Sequence, residues 1–317
     1  MSPPGPYRPT VSIVIPTCNR PEQLDQCLAA VARLDYPRLE VVVVNNAPRD
    51  EQAQDVAKRR GARYTVEPVC GVSRARNRGA RACEAEIVAY LDDDFLPEPN
   101  WLSALIEEFA DPQVMAVSGR IRALGDEPEA AELCALIGGP DFGGLEQLKV
   151  DSRNPSWFEL ANFGGIVPGG NMAFRRSAFD VWPGFNEQLG RGTILHGGEE
   201  QHAFFSLIDR GYRAVYTPHA VVRHPLFFSE QEIRTRYLKD MAASAAYMML
   251  LFMEEPRYRS SIIKYVAEAL RGKSRTWRTK TISPRLVPKW RVLYAWLSGP
   301  SLYIRSRLAQ TPSNNHR

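Results

Sequence analysis

Apolar residues in this chain fall into short unbroken runs that alternate with stretches spaced by three and four. Val11-Ser12-Ile13-Val14-Ile15-Pro16 is the first such run, and Thr17-Cys18-Asn19-Arg20-Pro21 follows it. Beyond the turn, Leu24, Cys27, Leu28, Val31 and Leu34 recur at helical spacing, which predicts an amphipathic helix with Asn19 as N-cap and Pro21 in its first turn. Glu40-Val41-Val42-Val43-Val44 predicts a second strand ending in Asn45-Asn46, and Ala53 to Gly61 a second helix. Ile87-Val88-Ala89-Tyr90-Leu91 reads as a further strand. Strand and helix in turn is the α/β signature, and Val/Ile runs without polar alternation mean strands covered on both faces. Ligands of such open sheets bind outside the carboxyl ends of the strands. Thr17, Asn45, Asn46 and the acidic residues after Leu91 all fall at such ends, so they are expected around one crevice.

Those acidic residues are Asp92-Asp93-Asp94. Three adjacent carboxylates repel one another and are costly to desolvate together unless a cation or hydrogen-bond donors compensate them. By the same repulsion, loss of one of them is expected to cost little folding stability or to raise it. On an extended segment Asp92 and Asp94 point the same way and can jointly hold a hard divalent cation that keeps sites open for phosphates, while Asp93 points elsewhere and serves structure. A solvated acidic turn before Pro97 is the other reading of the same residues.

Further motifs follow in order, and together with these they resemble the family 2 glycosyltransferases of the GT-A fold over roughly the first seven tenths of the chain. Pro16-Thr17-Cys18-Asn19-Arg20 resembles the family's nucleotide-binding strand and turn, and Gly71-Val72-Ser73-Arg74-Ala75-Arg76-Asn77-Arg78-Gly79 the helix start beside the donor nucleotide. Asp92-Asp93-Asp94 stands where the family carries its DxD metal motif. Gly169-Gly170-Asn171-Met172-Ala173-Phe174-Arg175 resembles the strand beside the donor sugar, and Gly198-Glu199-Glu200 the acidic pair that includes the catalytic base. His224 matches a histidine that approaches the metal or diphosphate in many such enzymes. Two positions depart from the pattern. Asn45 replaces an Asp that accepts the uracil N3–H in many relatives; its amide oxygen can accept the same bond, but its NH2 then needs another acceptor. Glu200 stands where Asp is common, so the carboxylate reaches about 1.5 Å further.

The resemblance implies an α/β GT-A sheet with helices on both faces. It also implies a Mn2+ or Mg2+ ion held by Asp94, Asp92 and His224, and a nucleotide-sugar donor, with UDP favoured. Donor contacts are implied for Pro16, Thr17, Asn19, Arg20, Asn45, Asn46, Gly71, Arg76, Asn77, Asp92, Asp93, Gly169, Gly170 and Asn171. Charge develops on the departing diphosphate, which the metal and Arg76 would offset. A base must take the proton of the incoming hydroxyl on the opposite face, and Glu200 is the candidate, with Glu199 able to share the role. Displacement from that face inverts the anomeric centre. A nucleotidyltransferase with a similar metal–phosphate site and a non-catalytic sugar-nucleotide-binding membrane adaptor are the alternatives. Arg74, Arg76, Arg78 and Arg81 can also be read as a solvated helix face, and one of Glu199 and Glu200 as favouring a helix N-terminus. Trp182 and Phe185 fit either an acceptor site or the core.

The 317 residues suffice for one large α/β domain and an accessory segment. The organisation expected is a flexible N-terminus over 1–10, a GT-A catalytic domain over 11–225 and a basic helical C-terminal extension over 226–317. Residues 122–163, poor in periodic pattern, are expected to shape the acceptor site. Five scattered cysteines indicate neither a disulfide framework nor a zinc site and fit a reducing cytoplasm. Met1 to Pro9 lacks the apolar core of a signal peptide, and the apolar stretch Ala242 to Met253 is too short to span a bilayer.

The net charge of +4 conceals an asymmetry. From Pro256 to Arg317 there are fourteen Lys or Arg against Glu268 alone, a net +13 that leaves −9 for the remainder. Ser260 to Leu270 predicts an amphipathic helix, Arg271 to Arg291 is basic with Trp277 and Trp290, and Val292 to Ile304 is largely apolar. Such a segment suits peripheral contact with an anionic membrane or helices packed on the catalytic domain or a second subunit, and nucleic acid less well.

Overall fold

The computed structural model describes residues 8–124, 141–142, 144–167, 169–225, 229–271 and 287–310. Most of the expected flexible N-terminus, much of the 122–163 region and most of the basic run 271–291, with Trp277, lie outside the described residues. The first half alternates as the sequence pattern predicts: β1 (Val11–Thr17), α1 (Pro21–Val31), β2 (Leu39–Asn46), α2 (Gln52–Arg59), β3 (Arg63–Glu67), α3 (Val72–Ala82) and β4 (Ile87–Leu91). Short β5 (Leu96–Pro97), α4 (Trp101–Glu107) and long β6 (Val114–Leu124) follow, then β7 (Asp141–Phe142), β8 (Leu148–Val150) and α5 (Trp157–Asn162). β9 (Asn171–Arg175), α6 (Ala178–Val181), α7 (Glu199–Asp209) and β10 (Arg213–Pro225) complete the sheet region. Among the described residues, α8 (Glu230–Glu254), α9 (Arg259–Leu270) and α10 (Lys289–Gln310) follow.

The strands form one mixed sheet in the order β3-β2-β1-β4-β9-β6-β10-β5, with β7 on β6 and β8 on β10. β3, β2, β1 and β4 run parallel, as do β6 and β10, and β9 is inserted antiparallel between β4 and β6. The register pairs Thr17 with Asn45 at the exits of β1 and β2 and Leu91 with Asn171, so that β9 enters the sheet where β4 leaves it.

Burial on both faces explains the unbroken apolar runs. Ile13 and Ile15 pack with Leu24, Leu28, Val43 and Trp101 under α1, α2 and α4. Val14, between them, points the other way into a layer with Val42, Tyr90, Phe174 and Phe204. Gly79 of α3 lies so close to Val14 that a Cβ would collide with it, which brings α3 hard against β1. The second layer continues into the C-terminal helices through Tyr247, Leu250, Ile262 and Tyr303. Trp182 and Phe185 belong to this core, 1% and 2% exposed beside Phe174.

Asn19 is not the N-cap of α1. The residue before the helix is Arg20, without a side-chain cap, and Asn19 takes a left-handed φ of 54° while its Oδ1 accepts the Arg49 N–H at 3.0 Å. Pro21 at the first turn starts the helix without help, since its fixed φ suits that position and its missing N–H is not needed there. Asn19 instead ties the β2–α2 loop to the end of β1. The apolar stretch Ala242–Met253 forms the second half of α8, and among the described residues no helix is long and apolar enough to cross a membrane.

Candidate active site

The exits of β1 and β4 meet through the Asp cluster. Thr17 Oγ1 donates to Asp93 Oδ2 at 2.6 Å, and Arg20 reaches Asp93 Oδ1 at 2.5 Å and Asp94 Oδ2 at 2.9 Å. Asp93 therefore turns inward, as expected of a residue that serves structure, but within a turn rather than an extended segment: β4 ends at Leu91, and the Phe95 N–H donates to the Asp92 carbonyl at 3.1 Å. Its burial pushes its pKa up to about 7 against the pull of Arg20 and Thr17. Asp94 faces His224 from β10, with Nε2 3.7 Å from Oδ2. Burial opposes ionisation of Asp94, yet the His224 contact and the Arg20 charge hold it well below the ordinary carboxylate range.

Asp92 takes another direction. Its Oδ1 meets Arg76 Nη2 at 3.1 Å, and a Cβ on Gly170 would lie 2.5 Å from its Oδ2. Asp92 and Asp94 thus face different cations, Arg76 and Arg20, rather than one shared point. Arg76 is 1% exposed and gathers three acids: Asp92, Glu199 Oε1 at 3.0 Å and Glu200 Oε1 at 3.0 Å. The ring of Phe185 lies 5.5 Å from its guanidinium carbon. Burial would lower the Arg76 pKa, but the three carboxylates raise it, so it stays charged. Its role in this arrangement is to hold carboxylates, where the resemblance implied a nucleotide contact.

Glu199 and Glu200 form the first turn of α7, after Gly198 in a left-handed φ of 89°. Glu200 Oε1 also accepts the Gly170 N–H at 3.0 Å, in a turn where Gly169 and Gly170 have φ of 102° and 63°. No side chain fits at Gly170, between Asp92 and Phe95. Glu199 is buried, and that burial together with the Glu200 charge pushes its pKa up to about 7. One guanidinium facing three carboxylates leaves excess negative charge, and Glu199 is the carboxylate whose ionisation burial opposes most plainly.

The asparagines divide by task. Asn46 donates to Glu67 and Val69 carbonyls and accepts the Gly71 N–H at 2.8 Å, fixing the chain that leads into α3. Asn77 clasps Phe185 through both its N–H and its carbonyl, at 2.8 and 2.9 Å. Asn171 donates to the Arg120 and Ala220 carbonyls at 3.0 Å and accepts from Trp101 Nε1 at 2.7 Å. These three amides are spent on the framework. Asn45 is different: its Nδ2 donates to Tyr64 Oη at 3.0 Å, while its Oδ1 is buried without a partner. A buried acceptor left open costs about 1–3 kcal/mol unless a ligand donor meets it. Pro16 stays within β1, opposite Val44.

The donor set fits a divalent cation completed by phosphates. Asp94 with His224 supplies oxygen and nitrogen ligands, and the surrounding acids outnumber Arg20 and Arg76. Among the described residues no three His, Cys, Asp or Glu converge on one point, so protein ligands alone do not close such a site. Sequence reasoning missed Tyr64, Trp101 and the carboxylate-gathering role of Arg76. It also missed a cavity of about 360 Å³ lined by Arg191, His196, Arg236, Lys239 and Asp240, with Arg191 and Arg236 close enough to act on Asp94. These groups come from the loop before α7 and the start of α8, where no motif drew notice.

Residues 12–182 match the sequence profile of Glycosyl transferase family 2. A pre-mycofactocin glycosyltransferase of Mycobacterium tuberculosis (strain ATCC 25618 / H37Rv) is 30% identical over 229 residues, covering 70% of this chain and 44% of that protein. The chain thus spans less than half the length of that relative. A glucosyl-dolichyl phosphate glucuronosyltransferase of Haloferax volcanii is 27% identical over 241 residues, 72% of this chain and 71% of the other. The fold is shared with a mannosyltransferase from Pyrobaculum calidifontis in complex with GDP-Man and Mn2+, at TM-score 0.55 and 21% identity over 96% of this chain and 74% of the other. It is shared also with S. aureus TarS in complex with UDP-GlcNAc, at TM-score 0.53 and 15% identity over 95% of this chain and 91% of the other. Both are GT-A type glycosyltransferases.

Proposed function

The chain belongs to glycosyl transferase family 2, and from that premise we propose that it transfers a sugar, with inversion, from a nucleoside diphosphate donor to a hydroxyl acceptor. The observation that carries this reading is the joining of Asp92, from the metal motif, and Glu200, from the acidic pair, on the single buried guanidinium of Arg76. Asp94 and His224 would hold a Mn2+ or Mg2+ ion, whose charge, when bound, offsets the charge that develops on the departing diphosphate.

Glu200 is the base. Its Oε1 is fixed by Arg76 and the Gly170 N–H, so the carboxylate is held in place while Oε2, outside those contacts, takes the proton of the incoming hydroxyl. Glu199 is too buried to meet an acceptor, and the same burial raises its pKa. The open Oδ1 of Asn45 supports a base that presents an N–H, and uracil N3–H satisfies it, with Tyr64 supplying the separate acceptor that the amide NH2 needs.

The acceptor class we favour is a hydroxyl on a glycan, a lipid-linked sugar or a natural product. Residues 11–225 would do the chemistry and 226–317 form the accessory extension, with the cytoplasm as the place of action. Titration of a sugar-nucleotide panel with and without Mn2+, read by thermal stability, tests the donor half. A UDP-sugar that raises the melting temperature only with metal is the expected outcome, and no response to any sugar nucleotide would overturn the reading.

A further inference from the structure

Helix α10 has two unlike faces. Ala295, Gly299, Tyr303 and Ser306 are buried, and a Cβ on Gly299 would lie 2.6 Å from the Ala246 backbone nitrogen of α8. The opposite side carries Trp290, Leu293, Tyr294, Leu297, Ile304 and Leu308, all exposed, with Tyr294 at 74% and Leu308 at 69%. At helical spacing these six fall within an arc of about 100°, a continuous stripe about 27 Å long. They are half of the twelve large apolar side chains exposed among the described residues, so the apolar surface is concentrated here rather than scattered.

Charge borders the stripe on both sides. Lys289 and Arg307 lie along one edge and Arg291 and Arg305 along the other, all exposed, and the helix contains no acidic residue. Arg307 also reaches Glu254 at 3.2 Å, and Arg291 stacks on Trp290 at 5.3 Å. Long cationic side chains at the margins of an apolar face let their heads rise to phosphates while their stems lie along it. Trp and Tyr suit the headgroup level.

We propose that α10 docks in the plane of an anionic lipid bilayer, its apolar stripe entering the boundary between headgroups and acyl chains and its basic edges meeting lipid phosphates. A bilayer offers apolar depth and negative charge together over the whole length of the stripe. A second copy fits poorly, because self-pairing sets these basic edges against each other with no acid on the helix to answer them. The helix lies on the membrane and does not cross it, in keeping with its low overall hydropathy. The surface is independent of the sugar-transfer reading, and its test does not need activity.

The full chain should sediment with phosphatidylcholine vesicles that contain phosphatidylglycerol and be released as salt rises. The variant Leu293→Gln/Leu297→Gln/Leu308→Gln should lose about ten-fold or more in the bound-to-free ratio while keeping its melting temperature and its response to UDP. Arg291→Gln/Arg305→Gln should lose the preference for acidic over neutral vesicles. Full recovery in the supernatant, or undiminished binding by the triple-Gln variant, overturns the proposal. So does a lipid-free dimer that the triple-Gln variant converts to a monomer, which assigns the stripe to a second copy.

Discussion

Arg76 Nη1 lies 3.0 Å from Glu199 Oε1, and both side chains are buried. Because burial and Glu200 raise the Glu199 pKa from its ordinary 4.5 to about 7, the folded protein takes up a proton there that the unfolded chain releases. Stability from this group is full below about pH 4.5 and falls as pH rises through 7. Glu199→Gln should flatten part of that decline, with the rest left to Asp93, which is raised in the same sense. Melting temperatures of both proteins from pH 5 to 8 check this; parallel curves would contradict it.

Removing the guanidinium should be far worse than removing Glu199. Arg76→Met strands three carboxylates in a poorly solvated site, and the expected loss is about 3–5 kcal/mol in denaturant unfolding. Arg76→Met combined with Glu199→Gln should recover part of it, since one stranded charge is gone.

Binding and chemistry should separate at Glu200. Glu200→Gln keeps the contact with the Gly170 N–H through an amide oxygen, so donor affinity is retained, while transfer falls by roughly 10² to 10⁴. Glu199→Gln should fall less. Turnover of Glu200→Gln near that of the parent would remove Glu200 from the chemistry.

Asp94→Asn should abolish the Mn2+ dependence of donor binding in calorimetry. The sequence alone suggests that loss of one like charge costs no stability. The ion pair with Arg20 and the contact with His224 reverse that sign, though the partly exposed Arg20 limits the loss to about 1 kcal/mol.

At Asn45, stability and binding should part company. Asn45→Leu removes a buried acceptor that has no partner but also the Nδ2 hydrogen bond to Tyr64, and the two offset, so unfolding free energy should change by less than about 1 kcal/mol. UDP affinity should fall about ten-fold, the worth of one hydrogen bond. An unchanged UDP dissociation constant would mean that Oδ1 does not read the base.

Much of the fold was legible because β1, β2 and β4 are buried on both faces and announce themselves as unbroken apolar runs. The inward direction of Asp93 toward Thr17 was expected, but not for the expected reason, since residues 92–95 form a turn rather than an extended segment. The facing of Asp92 and Asp94 was not legible, because the turn after Leu91 breaks the alternation that would have put both on one face. The framework duties of Asn46, Asn77 and Asn171 were hidden for a related reason. Each bonds backbone groups well removed in sequence, and a motif records the residue but not the chain segment that will pass beside it. Asn19 misled because an Asn before Pro looks like a cap, whereas its left-handed backbone sends the side chain to the next loop.

Helix α8 touches two distant parts of the molecule within a single turn. Tyr247 leaves no space for a side chain at Gly198, two residues ahead of Glu200, and Ala245 and Ala246 press on Gly299 of α10. No loop intervenes between these contacts, so the height of the Glu200 carboxylate above the outer face of α10 is set like a gauge. If Glu200 is the base and α10 docks as proposed, acceptors would be sorted by how far their hydroxyl stands from the surface beneath α10, before any sugar is recognised.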